Sequence, residues 1–178
     1  MAAAFQVWAD VTPLRFTEVP TGQTADIHIR FEVENHGDLF PFDGKGQILA
    51  HAYYPENGRL HFDDDEAWMT MSPGHMLWDH TDLLSVAIHE IGHLLGLPHS
   101  NHQDAIMAPW YSSPIGPNNT YVAPVLSTVD IADIQLAYGG RRNGSYCIEK
   151  IDAVAASKNF RIMRSVRQQN RIICTLPS

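Results

Sequence analysis

Apolar positions near the start of the chain change their spacing within thirty residues. Phe5, Trp8 and Ala9 recur at helical intervals, so Ala2 to Ala9 reads as a short helix that Thr12-Pro13 ends. Leu14 to Glu18 then looks extended. From Ile27 the period falls to two: Ile27, Ile29, Phe31 and Val33 alternate with His28, Arg30, Glu32 and Glu34, the pattern of a strand with one buried face. Gly, Asp and Pro crowd Asn35 to Gly46 and predict an irregular loop. Gln47 to Tyr54 and Arg59 to Phe62 return to strand-like composition on either side of the turn signal Pro55-Glu56-Asn57-Gly58.

The widest apolar face follows Asp82. Leu83, Leu84, Val86, Ala87, Ile88, Ile91, Leu94 and Leu95 share it, Asp82 can cap its start, and Gly96 with Pro98 stops it. A stretch rich in Pro, Gly and Asn then runs to about Leu126. Thr128 to Tyr138 reads as a last helix, with Ile131, Ile134, Gln135 and Tyr138 at helical spacing and Gly139-Gly140 behind it.

A chain of 178 residues suffices for one domain with a sizeable core, and 44% hydrophobic with 18% charged residues is a globular composition. The formal charge of -8 argues against nucleic acid or an anionic membrane as partner, since both require a basic face. Part of the acidity is local, in the run Asp63-Asp64-Asp65-Glu66, which a bound cation would offset. Ten histidines, all of them from His28 to His102, point to metal before any motif is read. Cys147 and Cys174 could pair once but cannot make a disulfide framework. No apolar run approaches the roughly 18 residues of a membrane span. Met1 to Phe5 lacks the basic start of a signal peptide.

Chemistry concentrates in His89-Glu90-Ile91-Gly92-His93-Leu94-Leu95-Gly96-Leu97-Pro98-His99. His89 and His93 lie four apart on the predicted helix, so both imidazoles project from one face and can grip one ion. Glu90 adjoins the first ligand and can act as general base without being a ligand itself. Gly96 permits a sharp exit at positive φ, which delivers His99 as third ligand. Three neutral histidines leave a fourth tetrahedral position open, as a catalytic zinc requires. A chance His-Glu-x-x-His on an ordinary helix would not need the Gly and the third His. A gluzincin-type peptidase would need a distant Glu instead.

This extended pattern resembles the metzincin zinc endopeptidases, and Ile106-Met107 within Asp104-Ala105-Ile106-Met107-Ala108-Pro109 looks like their Met-turn, with Met107 as an apolar floor beneath the metal. Within that group the chain resembles matrix metalloproteinase catalytic domains from about Phe5 to Gly139. The matching stretches are His36-Gly37-Asp38, Pro41-Phe42-Asp43-Gly44, Leu49-Ala50-His51-Ala52, His61-Phe62-Asp63-Asp64-Asp65-Glu66 and Pro109-Trp110-Tyr111. The likeness implies an α+β, zincin-like fold: a twisted, mainly parallel sheet with three helices, the first strand of the family sheet missing. It divides the chain into a catalytic domain, 1–140, incomplete at its amino end, and a region 141–178. There Cys147 to Val154 looks like the start of a hemopexin-like blade, followed by a basic, disordered tail.

The likeness also implies accessory metals. His36, Asp38, His51 and His61 offer four ligands and no open position, which suits a structural zinc. Asp43, Asp63 and Glu66, with backbone carbonyls of Gly44, Gly46 and Ile48, offer six oxygens, which suits calcium. The segment between His51 and His61 is shorter than the family's, with Pro55, Asn57 and Arg59 replacing a Gly-rich, acid-containing pattern, so the likeness implies at least one calcium and leaves Asp26 with two readings, ligand of a second calcium or cap of the strand. An extended peptide or protein substrate would add as a strand near Gln47 to Tyr54. Pro109 and Tyr111 would line the pocket for the residue after the scissile bond, and Ser85, one turn before His89, would set its depth. The family setting is extracellular, with a protein inhibitor as a further partner and a monomeric chain. The competing expectation is a non-catalytic fragment that binds metal without turnover. His28, His75, His80 and His102 fit no ligand pattern.

Overall fold

The computed structural model describes residues 1–20, 23–141, 160–161, 163–164 and 172–175, the last three segments as backbone strands. Helix α1 (Ala2–Ala9) turns Ala4, Phe5 and Trp8 inward; Phe5 and Trp8 belong to the predicted stripe, whereas Ala9 is only partly buried. Strands β1 (Arg15–Glu18), β2 (His28–Glu32), β3 (Ala50–Ala52) and β4 (Arg59–Asp63) follow, then the short β5 (Trp68–Met69) and β6 (Thr81–Asp82). Helix α2 (Leu83–Leu94), hairpin strands β7 (Ile115–Gly116) and β8 (Thr120–Tyr121), and helix α3 (Thr128–Tyr138) complete the region up to Gly139. Farther on come β9 (Phe160–Arg161), β10 (Met163–Arg164) and β11 (Ile172–Thr175).

Three helices and a mixed sheet make this an α+β fold. The four-stranded sheet has the order β10-β2-β4-β3. β10 and β4 both run parallel to β2, and only β3 runs antiparallel to its neighbour β4. A second sheet, β1-β11-β9, is antiparallel. The last part of the tail, expected to lack order, thus contributes strands; Ile172, Ile173 and Thr175 are β-branched and suit a pleated backbone. The hemopexin-like Cys147 to Val154 lies outside the described residues.

Two sequence expectations are refined. The strand read from Gln47 to Tyr54 contracts to Ala50–Ala52, because Gln47 adopts φ 60° and cannot continue an extended run. The stretch before Leu126 contains the β7–β8 hairpin. Asn118 and Asn119 at φ 59° and 57° turn it, and Asn is the non-glycine residue that tolerates this region best.

The core forms where the inner faces of β2 and β4 meet both α1 and α2. Ile27, Ile29, Leu60 and Phe62 pack with Phe5, Trp8, Ile88, Ile91 and Leu94, all essentially inaccessible. Each such side chain contributes about 1.5–3 kcal/mol on burial. The Trp8 indole N–H donates to the Ile88 carbonyl at 3.0 Å, which fixes α1 against α2 by a polar contact inside an apolar layer. At the start of α2, Asp82 accepts from the Ser85 amide at 2.8 Å, as the predicted cap, and its other oxygen accepts from the Met71 amide at 2.8 Å. Ser127 and Asp130 form a reciprocal capping box on α3.

Gly92, in the middle of α2, is a packing glycine. A Cβ there would fall 2.3 Å from Met107 Sδ and 3.0 Å from the Trp8 ring, and both side chains are buried. In an open helix Gly→Ala gains roughly 1 kcal/mol. Here Gly92→Ala should instead destabilise, by about 1–3 kcal/mol through overpacking, as read by urea denaturation of the metal-free chain. A stabilised variant would show that Met107 does not press on the helix.

Candidate metal centre

Two clusters of ligand-type side chains form among the described residues, each with its ligand atoms within 4.8 Å of one another. The first is made by strand register. The antiparallel β3–β4 pair sets His51 opposite His61, and the loop after β2 brings His36 and Asp38 over them. Asp38 Oδ2 lies 3.1 Å from His36 Nε2, 3.0 Å from His51 Nε2 and 3.0 Å from His61 Nδ1. Asp38 Oδ1 accepts from the Phe40 amide at 2.9 Å.

Burial opposes ionisation of Asp38, but hydrogen bonds from the Phe40 amide, the Tyr53 hydroxyl and His51 outweigh it and hold the carboxyl below the usual range. Burial lowers His51, and burial together with His51 and His36 pushes His61 down to about 4. His51 and His61 are therefore neutral at neutral pH. The far nitrogens of His51 and His61, Nδ1 and Nε2, are buried without a partner. Three imidazoles and one carboxylate, four donors in all, match the chemistry of a closed, four-coordinate zinc.

The second cluster is made by α2 and the chain leaving it. His89 and His93 stand one turn apart, with ring centroids 4.7 Å from each other. Gly96, at φ 95°, turns the chain out of the helix. His99 then returns to within 5.2 Å of the His89 ring and 4.7 Å of the His93 ring, centroid to centroid. The His89 Nδ1–H donates to the Ile106 carbonyl at 2.8 Å, and the His93 Nδ1–H to the Leu97 carbonyl at 2.7 Å. A carbonyl can only accept, so these contacts fix the proton on Nδ1 and leave Nε2 as a free base facing the cluster. Burial pushes His89 down to about 4 and lowers His93 as well. His99 is exposed, which leaves the cluster open on one side. Three nitrogen donors with one open side fit a catalytic rather than a structural ion.

Glu90 is only 6% accessible, and its Oε2 is buried with no hydrogen-bond partner. Burial alone raises its carboxyl to about 8. Met107 is buried behind Gly92 on the same turn of α2. Asp130 holds it there: its two oxygens accept from the Ile106 amide at 2.8 Å and the Met107 amide at 3.2 Å. The sequence reading missed this residue. Its only local signal was the spacing from Ser127, which marks a capping box and nothing more.

Residues expected to bind calcium are less tightly gathered. Asp63 is fully buried with Oδ2 unpartnered, and burial raises its carboxyl, with Asp65, Glu66 and Asp43 adding to the effect. The Gly46 amide donates to Glu66, and the Ile48 amide to Asp43 at 3.4 Å. Among the described residues these side chains do not close into a third cluster of the kind above. Near α2, Ser85 is buried and its hydroxyl donates to Asp82 Oδ2 at 2.6 Å. The Tyr111 hydroxyl accepts from the Asp82 amide at 2.9 Å, while Pro109 is exposed.

The raised carboxyl of Glu90 carries a sign. Its folded-state value exceeds the unfolded one, so folding takes up a proton, and the associated stability is present at low pH and lost as pH rises from about 4.5 to about 8. In chelator-treated protein, Glu90→Gln should therefore gain stability over the parent across that window, by up to about 1.4 kcal/mol per pH unit. Denaturant titrations at stepped pH would read the difference; a constant offset would mean Glu90 is solvated in the metal-free fold.

The matrixin family of peptidases matches the chain over residues 1–139. Matrix metalloproteinase-C of Caenorhabditis elegans is 52% identical over 141 residues, which cover 78% of this chain and 24% of that protein. Stromelysin-1 of Equus caballus is 46% identical over 139 residues, 76% of this chain and 27% of that protein. Matrix metalloproteinase-16 of Homo sapiens is 51% identical over 117 residues, 61% of this chain and 19% of that protein. The chain thus spans about a quarter of the length of the first two. The matched region contains both histidine clusters, Glu90, Met107 and Asp130, and the chain belongs to the matrixin family.

Proposed function

We propose that this chain is a zinc-dependent endopeptidase domain, with the zinc held by His89, His93 and His99 and with Glu90 as general base. The observation that carries the reading is a buried carboxyl with an unpartnered oxygen, next in sequence to His89, together with two imidazoles, His89 and His93, whose protons are fixed away from the cluster they form with His99. A zinc ion bound there supplies Lewis acidity toward a peptide carbonyl and toward water. Glu90 accepts the proton of the attacking water at Oε2, where burial has already raised its basicity. It then returns that proton to the departing amine nitrogen, so the carboxylate is regenerated when the C–N bond has broken.

Peptide binding follows from the sheet. Among the described residues β3 is an edge strand, hydrogen-bonded on one side only in the order β10-β2-β4-β3, so an extended peptide can add along it. The chain leaving that edge reaches the metal cluster at once: Tyr54 packs edge-on against His93 with centroids 5.7 Å apart. Pro109 and Tyr111 are assigned to the wall of the pocket beyond the scissile bond. Ser85 is assigned to setting its depth; its hydroxyl is committed to Asp82, so it would offer space rather than a hydrogen bond. His36, Asp38, His51 and His61 are assigned to a second, structural zinc. Asp43, Asp63 and Glu66 with the carbonyls of Gly44, Gly46 and Ile48 are assigned to calcium, and the unpartnered Asp63 Oδ2 is the support for a cation there. Proteins of the extracellular space, including matrix components, are the proposed substrates, in keeping with the names of the relatives.

Cleavage of a fluorogenic peptide by the purified chain, with and without chelator, tests the activity. Glu90→Ala should reduce cleavage by about 10²–10⁴-fold while the bound zinc, counted by elemental analysis, is unchanged. Cleavage within threefold of the parent would remove Glu90 from its role. Zinc-loaded parent that cleaves nothing would favour the non-catalytic reading.

A further inference from the structure

Beside the edge strand stands a guanidinium that no carboxylate takes up. Among the described residues, the arginines of ion pairs are Arg30, with Glu32, and Arg141, with Asp10. Arg59 belongs to neither pair. Its Nε–H donates to Asn57 Oδ1 at 2.8 Å, and its guanidinium carbon lies 4.2 Å from the centroid of the Tyr53 ring. An aromatic face attracts a cation without neutralising it, and a side-chain amide accepts a hydrogen bond without carrying charge. The charge is therefore held in one place and left uncompensated there, in a chain whose formal charge is -8.

Strand register sets where that charge sits. His51 is opposite His61, and the Tyr53 amide donates to the Arg59 carbonyl at 2.9 Å, so the β3–β4 ladder runs on by one pair to Tyr53 and Arg59. Side chains two apart on a strand share a face, which puts Tyr53 on the face of His51. Arg59 starts from the β4 side and reaches across to lie over the Tyr53 ring, on the side where β3 forms the edge. Both side chains are partly exposed. A strand added to that edge runs about 4.8 Å beyond β3. A side chain of the added strand opposite Tyr53, on the same face, stands about 5 Å from it. That is within reach of a guanidinium resting on the ring. Tyr54, the next residue, packs against His93, so this peptide position lies within a few residues of the bond at the metal.

We propose that Arg59 is a specificity-determining residue: it selects peptides that carry a glutamate or aspartate opposite Tyr53, through an ion pair made on the Tyr53 ring. The inference rests on the endopeptidase reading and on peptide addition along β3. A guanidinium has five N–H donors in a fixed fork, and Asn57 takes only the one on Nε. The Nη donors remain for a carboxylate, which can accept two of them side by side. A zinc ion in the adjoining four-ligand cluster, where Asp38 is the one carboxylate, would add charge of the same sign.

Matched fluorogenic peptides test this, with glutamate placed in turn at each position flanking the cleaved bond and glutamine at the same position in its partner. The zinc-loaded parent should cleave the glutamate peptide about two- to fivefold better in kcat/KM at one position, the range of a partly exposed ion pair. That ratio should fall toward one in about 1 M salt. Arg59→Gln should bring it to one, and Arg59→Glu should reverse it, so that lysine is preferred to glutamine there. Arg30→Gln removes the same charge one strand farther from the edge, opposite His61, and should keep the parental ratio. Each ratio is taken on one preparation, so a loss of folded protein does not alter it. A parental ratio of one at every position would overturn the proposal. So would a preference that survives Arg59→Gln, or one lost equally in Arg30→Gln, which would make it an effect of overall charge. A parent that cleaves none of the peptides would overturn the endopeptidase reading and this proposal with it, a separate and visible failure.

Discussion

The arrangement depends on two hydrogen bonds to backbone carbonyls. His89 and His93 could adopt several rotamers on the face of α2, and a free imidazole could present either nitrogen. The carbonyls of Ile106 and Leu97 remove both freedoms, because each captures an Nδ1–H and so directs Nε2 into the cluster. Those carbonyls come from chain that has already left the helix, and each must itself be held. Leu97 is held by the turn at Gly96, where its amide reaches back to the Gly92 carbonyl at 2.9 Å. Ile106 is held by Asp130, which in turn caps α3. The metal geometry is thus transmitted from the third helix to the second through one carboxylate.

The same chemistry serves opposite purposes in the two clusters. In the first, three rings and a carboxylate surround a centre with almost no solvent access, and the strands β3 and β4 that carry two of the rings are part of the main sheet. A cation there would tie the loop after β2 onto that sheet. In the second, the rings line one side only, His99 is exposed, and a carboxylate with an unmet hydrogen bond waits beside them. Burial of Glu90 costs stability in the metal-free fold. That cost is the reason to read the residue as functional, since the same turn of α2 could hold an apolar side chain at no penalty.

Much of this was legible in the sequence, and for identifiable reasons. The helix over Leu83 to Leu94 carries a strong apolar period, an Asp cap and a Gly stop, so its bounds and its ligands could be read together. The first cluster was legible only through the likeness of His36-Gly37-Asp38 and its companion stretches to a known family, because no local rule says that His51 and His61 lie opposite one another. That is a matter of register, which depends on the partner strand. Asp130 was missed for a similar reason: its local pattern explains a helix cap completely, while its contacts to Ile106 and Met107 span more than twenty residues. The strand around Gln47 was overextended because composition does not reveal a positive φ. Ser85 was read as setting the depth of a pocket; that its hydroxyl turns back to Asp82 follows from the cap and was available in the sequence, but not drawn.

The central claim is that one zinc ion is gripped by His89, His93 and His99 with a side left open. The most direct test is a crystal of the zinc-loaded chain measured at the zinc absorption edge. The account predicts an anomalous peak about 2.0–2.1 Å from Nε2 of each of the three residues, with a non-protein ligand completing the shell. A peak bound through Nδ1, a fourth protein ligand closing the site, or well-ordered imidazoles with no peak between them would contradict it.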